Sequence, residues 1–552
     1  MAAAELAAGA SSVGPPPRAR RAGVRRMAGW APLIPGAVLL LADGYRLGRL
    51  SLWRDEAYTV DATGRPLPRI FAMLAHTDAV NGAYYVLMHA WIGVAGTSPA
   101  ALRLPSLLAM AVAAVITAAI GGRLARAGRL PAPALTGVLA GLLFAAAPQV
   151  TRYAQDARAY GLVTMCATVA TYLLLRALAD GRWRWWTGYG AAIVALGLFN
   201  LLAFLLVAAH GVTVWIARAR QRAAPAPAGA GAGSAGDGTG PAGGGTRPAS
   251  GTGPTGPVSR WLTAVGVALA VLSPVLVAGV AQRHQISWLE RPGLTAVSHL
   301  VVTFAGSQAL VPLLGLLVLV GVIATLTDRP RVPLDMVTVA LPWLLLPATV
   351  LLAASQVRPV YDARYLVFCL PALGLLGACG LAWVTRFAAT ITVRGTGGAA
   401  VWLPAILILA LLAALVVGPQ RSVRAAPSRL ADLRGTAAVL AAQGRRGDAV
   451  LYVPPSNRVV SLAYPAPFRR LRDVALAQSP AVAANLSGAE VTAGVLRARF
   501  ASVGRVWVVS GRRMFPFPDG GLEPAEARLL RSFSLVRRWY VGAGVLSLYR
   551  RR

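Results

Sequence analysis

The sequence predicts an all-α polytopic membrane bundle of about 11 transmembrane helices, followed by a small C-terminal extracytoplasmic α/β domain. Hydrophobic residues make up 56% of the 552 positions and charged residues only 13%, about half the charged share of an ordinary soluble chain. Apolar segments recur up to residue 418, with arginine-rich stretches alternating with mixed polar loops between them. Beyond that point short helical and β-rich patterns take over.

The formal net charge of +34 comes from 54 basic and 20 acidic residues. A strongly basic chain raises the possibility of a nucleic-acid partner, but these arginines punctuate apolar spans instead of forming one patch. Positive cytoplasmic loops and attraction to anionic headgroups account for the excess. We therefore expect the lipid bilayer as partner and no nucleic acid. Cys166, Cys369 and Cys379 all lie in apolar spans without ligand-like spacing, which predicts packed thiols and neither disulfide nor metal site.

The chain divides into five segments, with the amino terminus inside and the carboxyl terminus outside a plasma membrane. They are a disordered basic cytoplasmic tail (1–27), an N-terminal transmembrane part (28–222) with its first outer loop at 49–100, a flexible Ala/Gly/Pro-rich linker (223–258), a C-terminal transmembrane part (259–418) and an extracytoplasmic α/β domain (419–552). The predicted spans are 30–47, 101–124, 132–148, 157–178, two shorter helices divided near residue 200, 261–281, 297–326, 335–354, 364–385 and 399–418. Short interfacial helices are expected over 66–96. In the last segment we predict helices at 431–443 and 524–532, strands at 449–453 and 506–510, and one or two strands over 539–549.

The first outer loop carries adjacent carboxylates, Asp55 and Glu56, in the stretch SLWRDEAY directly after the first apolar span. In such a chain they are either solvated loop residues paired with Arg54 or part of a reaction centre. The topology brings polar residues from four further stretches to the same side, and ionisable residues at membrane depth tend to be functional when they face a cavity. These are His76, Asp78 and Asn81; Arg152, Tyr153, Asp156, Arg158 and Tyr160; Arg283, His284, Trp288 and Glu290; and Arg358, Tyr361, Asp362, Arg364 and Tyr365. Carboxylates with arginines and tyrosines favour an anionic, partly lipidic substrate, because the guanidinium fork suits a phosphate.

The stretches SLWRDEAY, NGAYYVLMHAW, PAALRLPSLLA, PQVTRYAQDARAYGL and YDARYLVFCLPAL occur in this order between residues 51 and 373. Over residues 30–420 the chain thereby resembles the family 39 glycosyltransferases of the GT-C superfamily, most closely the broad RgtA/B/C/D-like group in its actinobacterial form. One departure is Asn81-Gly82, where many relatives carry Pro-Pro or Lys-Pro. A lysine there helps to hold the donor phosphate in some members, so this chain would need that contact from another residue.

The resemblance implies an integral membrane glycosyltransferase that moves a sugar from a polyprenyl-phosphate donor to an extracytoplasmic acceptor hydroxyl with inversion. Asp55 would be the general base and Glu56 would orient the acceptor or a neighbouring arginine. Arg158, Arg358 and Arg364 would neutralise the departing phosphate, helped by Tyr160 and Tyr365. The substrate-binding set is completed by Tyr84 and His284. We expect no cofactor and no obligatory divalent metal, because arginine alone can stabilise a monophosphate.

Two other functions remain open from the sequence. A transporter or flippase of lipid-linked sugars would share the bundle and its arginines, although obvious internal repeats are lacking. A non-catalytic membrane scaffold would leave the polar loops unexplained. Mannose is the first choice of sugar, with galacturonosyl and arabinosyl donors open. The acceptor is a protein, glycan or lipid hydroxyl.

Overall fold

The computed structural model describes residues 29–223, 256–328, 332–391, 400–429, 431–511 and 524–552. The predicted tail (1–27) and nearly all of the predicted linker (223–258) lie outside these residues. Up to residue 423 the described chain is helical. The helices are α1 Leu33–Gly44, α2 Arg54–Thr63, α3 Leu67–Leu74, α4 Gly82–Ala95, α5 Pro99–Ala127, α6 Pro133–Ala146, α7 Pro148–Ala154, α8 Tyr160–Asp180, α9 Trp183–Phe199, α10 Leu206–Ala223, α11 Pro257–Ala281, α12 Leu294–Ala305, α13 Val311–Asp328, α14 Met336–Val357, α15 Leu370–Ile391 and α16 Leu403–Val423.

Several helices begin with proline at their first or second position, as α5, α7 and α11 do. Proline fits there because the first turn of a helix needs no N–H donor and its fixed φ is already helical. At the start of α5, Ser98 Oγ also accepts a hydrogen bond from the Ala101 amide at 3.2 Å, which caps the helix.

Within the described residues, eight helical segments are long and apolar enough to cross a membrane, or nine if the bent pair α6–α7 forms one span. Eight predicted spans coincide with these segments and a ninth with the bent pair. The remaining two fall on α1 and α9, which have 12 and 17 residues. The polytopic helical bundle is thus confirmed.

The predicted span 297–326 is not continuous. Helix α12 ends at Gly306, whose φ of +97° is a left-handed conformation that glycine adopts without steric cost. A 3₁₀ turn at Gln308–Leu310 then leads into α13. The prediction missed this break because the glycine lies inside an unbroken apolar run.

The bundle is built around α15. In the most apolar stretch of the segment Ala363–Ile391, 89% of the residues are buried inside the protein, against 11% in the corresponding stretch of Ala400–Val423. Small residues bring its helices close together. A Cβ on Gly374 would lie 2.6 Å from the Ala140 carbonyl oxygen, so α15 and α6 can pack this closely only with glycine there. The three cysteines are buried and free, as predicted.

The C-terminal domain is a mixed five-stranded sheet covered by helices on both faces. Its elements are α17 Leu433–Gln443, β1 Ala449–Val453, α18 Val459–Ala463, α19 Pro465–Phe468, β2 Arg472–Asp473, β3 Leu476–Gln478, β4 Ala489–Glu490, α20 Ala493–Ala501, β5 Arg505–Gly511, α21 Pro524–Leu530, β6 Phe533–Val541 and β7 Gly544–Arg551. The strand order is β2-β1-β5-β7-β6, with β2-β1-β5 parallel and β5-β7-β6 antiparallel, while β3 and β4 form a separate pair. Every residue of β1 is buried, as expected for a strand covered on both faces. The predicted small α/β domain is confirmed in its helices and strands.

Candidate functional site

The site is built around α2, a ten-residue helix after the first apolar helix. Asp55 and Glu56, which the sequence placed in a loop, instead occupy its first turn. The Trp53 amide donates a hydrogen bond to Glu56 Oε2 at 3.2 Å, so Glu56 caps the helix that contains it. The positive end of the helix dipole also favours two carboxylates there, which is why this charged stretch is helical.

Glu56 is fully buried and paired with Arg103 of α5. Arg103 Nε and Nη2 donate to the two carboxylate oxygens at 2.7 and 2.8 Å, and the amide of Ala157 donates at 2.9 Å. Arg103 also donates to the carbonyl oxygens of residues 47, 50 and 51. The pair therefore fastens the chain before α2 to the bundle, and the Glu56 carboxylate has no opening to solvent.

A second buried carboxylate, Asp156, lies beside this pair. The Trp53 indole Nε1 donates to Asp156 Oδ1 at 2.8 Å. Burial raises the pKa of Glu56, but hydrogen bonding and charge from Arg103 outweigh it, so that pKa is lowered overall. Burial and the charge of Glu56 raise the pKa of Asp156 to about 6, against a partial counter-effect of Arg429. Of the two neighbouring acids, Glu56 is thus held ionised and Asp156 titrates near neutrality.

Asp55 faces the other way, toward the late polar stretch. Arg364 Nη1 donates to Asp55 Oδ2 at 3.1 Å, and the two side chains keep 17% and 24% of their surface exposed. Arg364 Nε also lies 3.0 Å from Asp362 Oδ2, and its guanidinium is 5.7 Å from the Trp288 ring centre. Asp55 Oδ1 accepts no hydrogen bond from the described residues. The carboxylate therefore has one oxygen oriented by a cation and one open to a ligand.

Arg158 lies near Asp55, and two tyrosines of α4, Tyr84 and Tyr85, lie near Arg158. Burial lowers the pKa of Arg158, but Tyr85 and Asp55 together with other nearby groups raise it well above its ordinary value, so the guanidinium stays charged. Tyr85 donates its hydroxyl hydrogen bond to Asp78. The hydroxyl of Tyr84 is buried without a hydrogen-bond partner among the described residues.

The remaining predicted residues divide into two groups. Tyr160 packs edge-on against Tyr153, with ring centres 4.8 Å apart, and the Tyr365 ring centre lies 5.5 Å from the Arg364 guanidinium. Both tyrosines lie close enough to Arg364 to feel its charge. Arg358 and His284 are exposed, and their side chains make no hydrogen bond or ion pair with the described residues.

The C-terminal domain closes over α2. The Leu52 amide donates to the Tyr464 hydroxyl at 3.0 Å, and Arg54 donates to Ser456. Arg434 of α17 donates to the carbonyl oxygen of Arg49 at 3.0 Å. The residues before and after the acidic pair are thus held by a domain some 400 positions later in the chain.

Sequence reasoning missed the residues that hold the acidic pair in place. Arg103 lies inside a 29-residue apolar helix, and a charged residue there is expected to have a partner. The same signal marks Asp43 in α1, which pairs with Arg424 at 2.5 Å. Tyr464 and Ser456 carried no such signal, because they lie in an ordinary polar domain.

Candidate metal ligands are not grouped in the described part of the chain, which contains no cluster of three or more His, Cys, Asp or Glu side chains that could hold an ion. The expectation of no obligatory metal stays a prediction.

No protein-family model matches the chain, and no curated protein matches it by sequence. Among solved structures, it is similar to ArnT from Cupriavidus metallidurans in the apo state, with 14% identity, a TM-score of 0.52, and 95% of this chain and 98% of that one covered. The structure of ArnT bound to undecaprenyl phosphate gives 15% identity and a TM-score of 0.50, with 94% of this chain and 98% of that one covered. The arabinosyltransferase EmbB from Mycobacterium smegmatis has a TM-score of 0.38 and 12% identity, with 71% of this chain and 39% of that one covered, too low a likeness to carry an argument.

The likeness to ArnT extends over nearly the whole of both chains. The protein is therefore a multi-pass membrane protein that shares the fold of ArnT.

Proposed function

We propose that the protein is a glycosyltransferase that moves a sugar from a polyprenyl-phosphate donor to an acceptor hydroxyl with inversion at the anomeric carbon. The observation that carries the proposal is the pair of adjacent acids with opposite environments. Glu56 is sealed against Arg103, whereas Asp55 is partly exposed with one oxygen held by Arg364 at 3.1 Å. The structure of ArnT with undecaprenyl phosphate, which shares this fold, supports a lipid-linked donor.

Asp55 acts as general base in this proposal. Its open oxygen, Oδ1, accepts the proton of the acceptor hydroxyl as the acceptor oxygen bonds to the anomeric carbon. The bond between that carbon and the donor phosphate oxygen breaks at the same time, with its electron pair leaving on the phosphate. Arg364 fixes the carboxylate in position, and Glu56 acts only through the backbone that it holds.

The leaving phosphate is stabilised by arginine. Arg364 and Arg158 both lie near Asp55 and keep their positive charge, so they can neutralise the charge that develops on the phosphate oxygens. Tyr84, Tyr160 and Tyr365 surround this region with hydroxyl groups that can donate to the phosphate or the sugar. Arg358 and His284 are exposed, and we propose that they contact the donor only once it is bound.

The finer assignments rest on the resemblance of the motifs. We propose an extracytoplasmic site, with the amino terminus in the cytoplasm, and mannose as the first sugar to test. Membership of family 39 would account for the order of the motifs from SLWRDEAY to YDARYLVFCLPAL.

The test uses purified protein in nanodiscs with radiolabelled polyprenyl-phosphate-mannose and a membrane extract as acceptor pool. Asp55→Asn should reduce label transfer by about 10²–10⁴-fold while donor binding is kept. Asp180→Asn is the matched control, because Asp180 also pairs with an arginine at 3.2 Å and keeps 33% of its side chain exposed, but lies at the far end of α8. Transfer by Asp55→Asn at the wild-type rate would refute the general-base role. Movement of intact donor lipid across the bilayer of sealed proteoliposomes, without sugar transfer, would instead identify a flippase.

A further inference from the structure

A cavity lies at the opposite end of the bundle from the candidate site. It has a volume of about 480 Å³ and is bordered by the ends of α1, α5 and α6 and by Tyr172 of α8. Arg103, at the site, and Arg123, at the cavity, are twenty residues apart on α5, about 30 Å along a helix. That distance equals the thickness of a hydrocarbon core, so the cavity lies at the other membrane interface.

Small residues keep this cavity open. Its walls include Ala31, Ala118, Ala119 and Ala134, none of which has a side chain long enough to fill it. At Gly122 the helices are already in contact, since a Cβ there would lie 3.3 Å from the Pro133 carbonyl oxygen. The helices therefore cannot close the space by moving together.

Two arginines border the cavity without acidic partners. Arg123 and Arg126 are spaced i, i+3 on α5, which makes them neighbours on one helix face where like charges repel. Neither forms an ion pair with a described residue. The carboxylates at this end of the described bundle already have partners. They are Asp180 with Arg176, Asp328 with Arg386, and Asp335 with Arg220.

From this arrangement we propose that the cavity binds the headgroup of an anionic glycerophospholipid in the leaflet opposite the candidate site. The phosphodiester bridges Arg123 and Arg126 and removes their mutual repulsion. Tyr172 lies beside it with a hydroxyl that can donate a hydrogen bond, and the alanine wall accommodates the glycerol and the first methylene groups. Basic pockets between transmembrane helices bind anionic headgroups in this way.

The experiment is native mass spectrometry of the full chain released from nanodiscs of phosphatidylglycerol and phosphatidylcholine. The wild type should retain one phosphatidylglycerol that phosphatidylcholine does not replace. Arg123→Gln with Arg126→Gln should weaken its binding by about 30-fold. Ala119→Leu, which fills the cavity without changing charge, should also lose the lipid.

The matched control is Arg218→Gln with Arg222→Gln, which removes the same charge at the same interface from α10 and should keep the lipid. Equal loss in this control would reduce the effect to general surface charge and overturn the proposal. Retention by both the double-arginine variant and Ala119→Leu would overturn it as well. Displacement of the lipid by excess inorganic phosphate would assign the arginines to free phosphate instead.

Discussion

Replacing Glu56 by glutamine tests whether the two adjacent acids have separate roles. The Glu56 carboxylate accepts four hydrogen bonds, from Arg103 Nε and Nη2, Trp53 N and Ala157 N, at 2.7 to 3.2 Å. A glutamine offers one acceptor oxygen and places an NH₂ group against the remaining donors. Arg103, which has no exposed side-chain surface, would then be a buried charge without its hydrogen-bonded counter-ion.

Removing one partner of a buried ion pair costs about 3–5 kcal/mol, and this pair has no solvent to compensate. Glu56→Gln should therefore lower the free energy of unfolding by that amount. Asp55→Asn removes a partly exposed pair, whose contribution is about 1 kcal/mol at most. It should hardly change stability, but should reduce turnover by about 10²–10⁴-fold as a lost general base.

The assay is unfolding in graded mixtures of dodecyl sulfate and a mild detergent, followed by tryptophan fluorescence, alongside sugar transfer from the same preparations. A double variant, Glu56→Met with Arg103→Met, is the informative control. It should recover the part of the loss that comes from the unpaired charge, but not the part that comes from the carbonyl oxygens of residues 47, 50 and 51 and the amides of Trp53 and Ala157, which lose their side-chain partners. If Glu56→Gln unfolds like the wild type, the pair does not anchor the site. If Asp55→Asn unfolds as early as Glu56→Gln, the two acids share one structural role.

Three further predictions concern the surroundings of this pair. Arg364→Lys should reduce turnover more than it weakens donor binding. The planar guanidinium of arginine can hold Asp55 and face the phosphate at the same time, whereas the lysine ammonium cannot. A loss of affinity for donor lipid without a loss of turnover would contradict this. The pKa of Asp156 is raised to about 6 from an ordinary value of 3.8. Its contribution to stability is therefore complete below about pH 4 and lost as the pH rises through 6, and Asp156→Asn should flatten this part of the pH profile of unfolding. Tyr464→Phe leaves the Leu52 amide without its acceptor and should weaken the attachment of the C-terminal domain by about 1–3 kcal/mol. The domain should then be released faster by proteolysis. An unchanged cleavage rate would show that the contact is dispensable.

The membrane helices could be predicted from the sequence because each apolar run has to satisfy its backbone hydrogen bonds internally. Breaks inside those runs could not be found in the same way. Gly306 ends α12, but a glycine in an apolar segment is compatible with a continuous span as well. The strands β1 and β5 were recognisable because fully buried strands are rich in β-branched and aromatic residues.

The sequence predicted which residues belong to the candidate site better than it predicted which of them contact each other. Asp55 and Arg364 were both selected from the sequence, but their ion pair joins residues 309 positions apart, and such pairing leaves no local pattern. Asp55 and Glu56 were predicted to lie together in one outer loop. Consecutive residues of a helix point in directions about 100° apart, so Glu56 faces Arg103 inside the bundle and Asp55 faces Arg364.

The hydrogen bonds between the start of α2 and the C-terminal domain can form only after nearly the whole chain has been synthesised. The contacts from Leu52 and Arg54 to Tyr464 and Ser456 span about 400 residues. A ribosome that adds about 5–20 residues per second needs tens of seconds between the synthesis of α2 and that of its partners in the C-terminal domain. During that time the first helices can insert with Glu56 already bound to Arg103, while the outer surface of α2 has no cover. On the proposed function, a nascent chain should therefore gain sugar-transfer activity only after its last segment has folded, and premature release should give an inserted but inactive bundle.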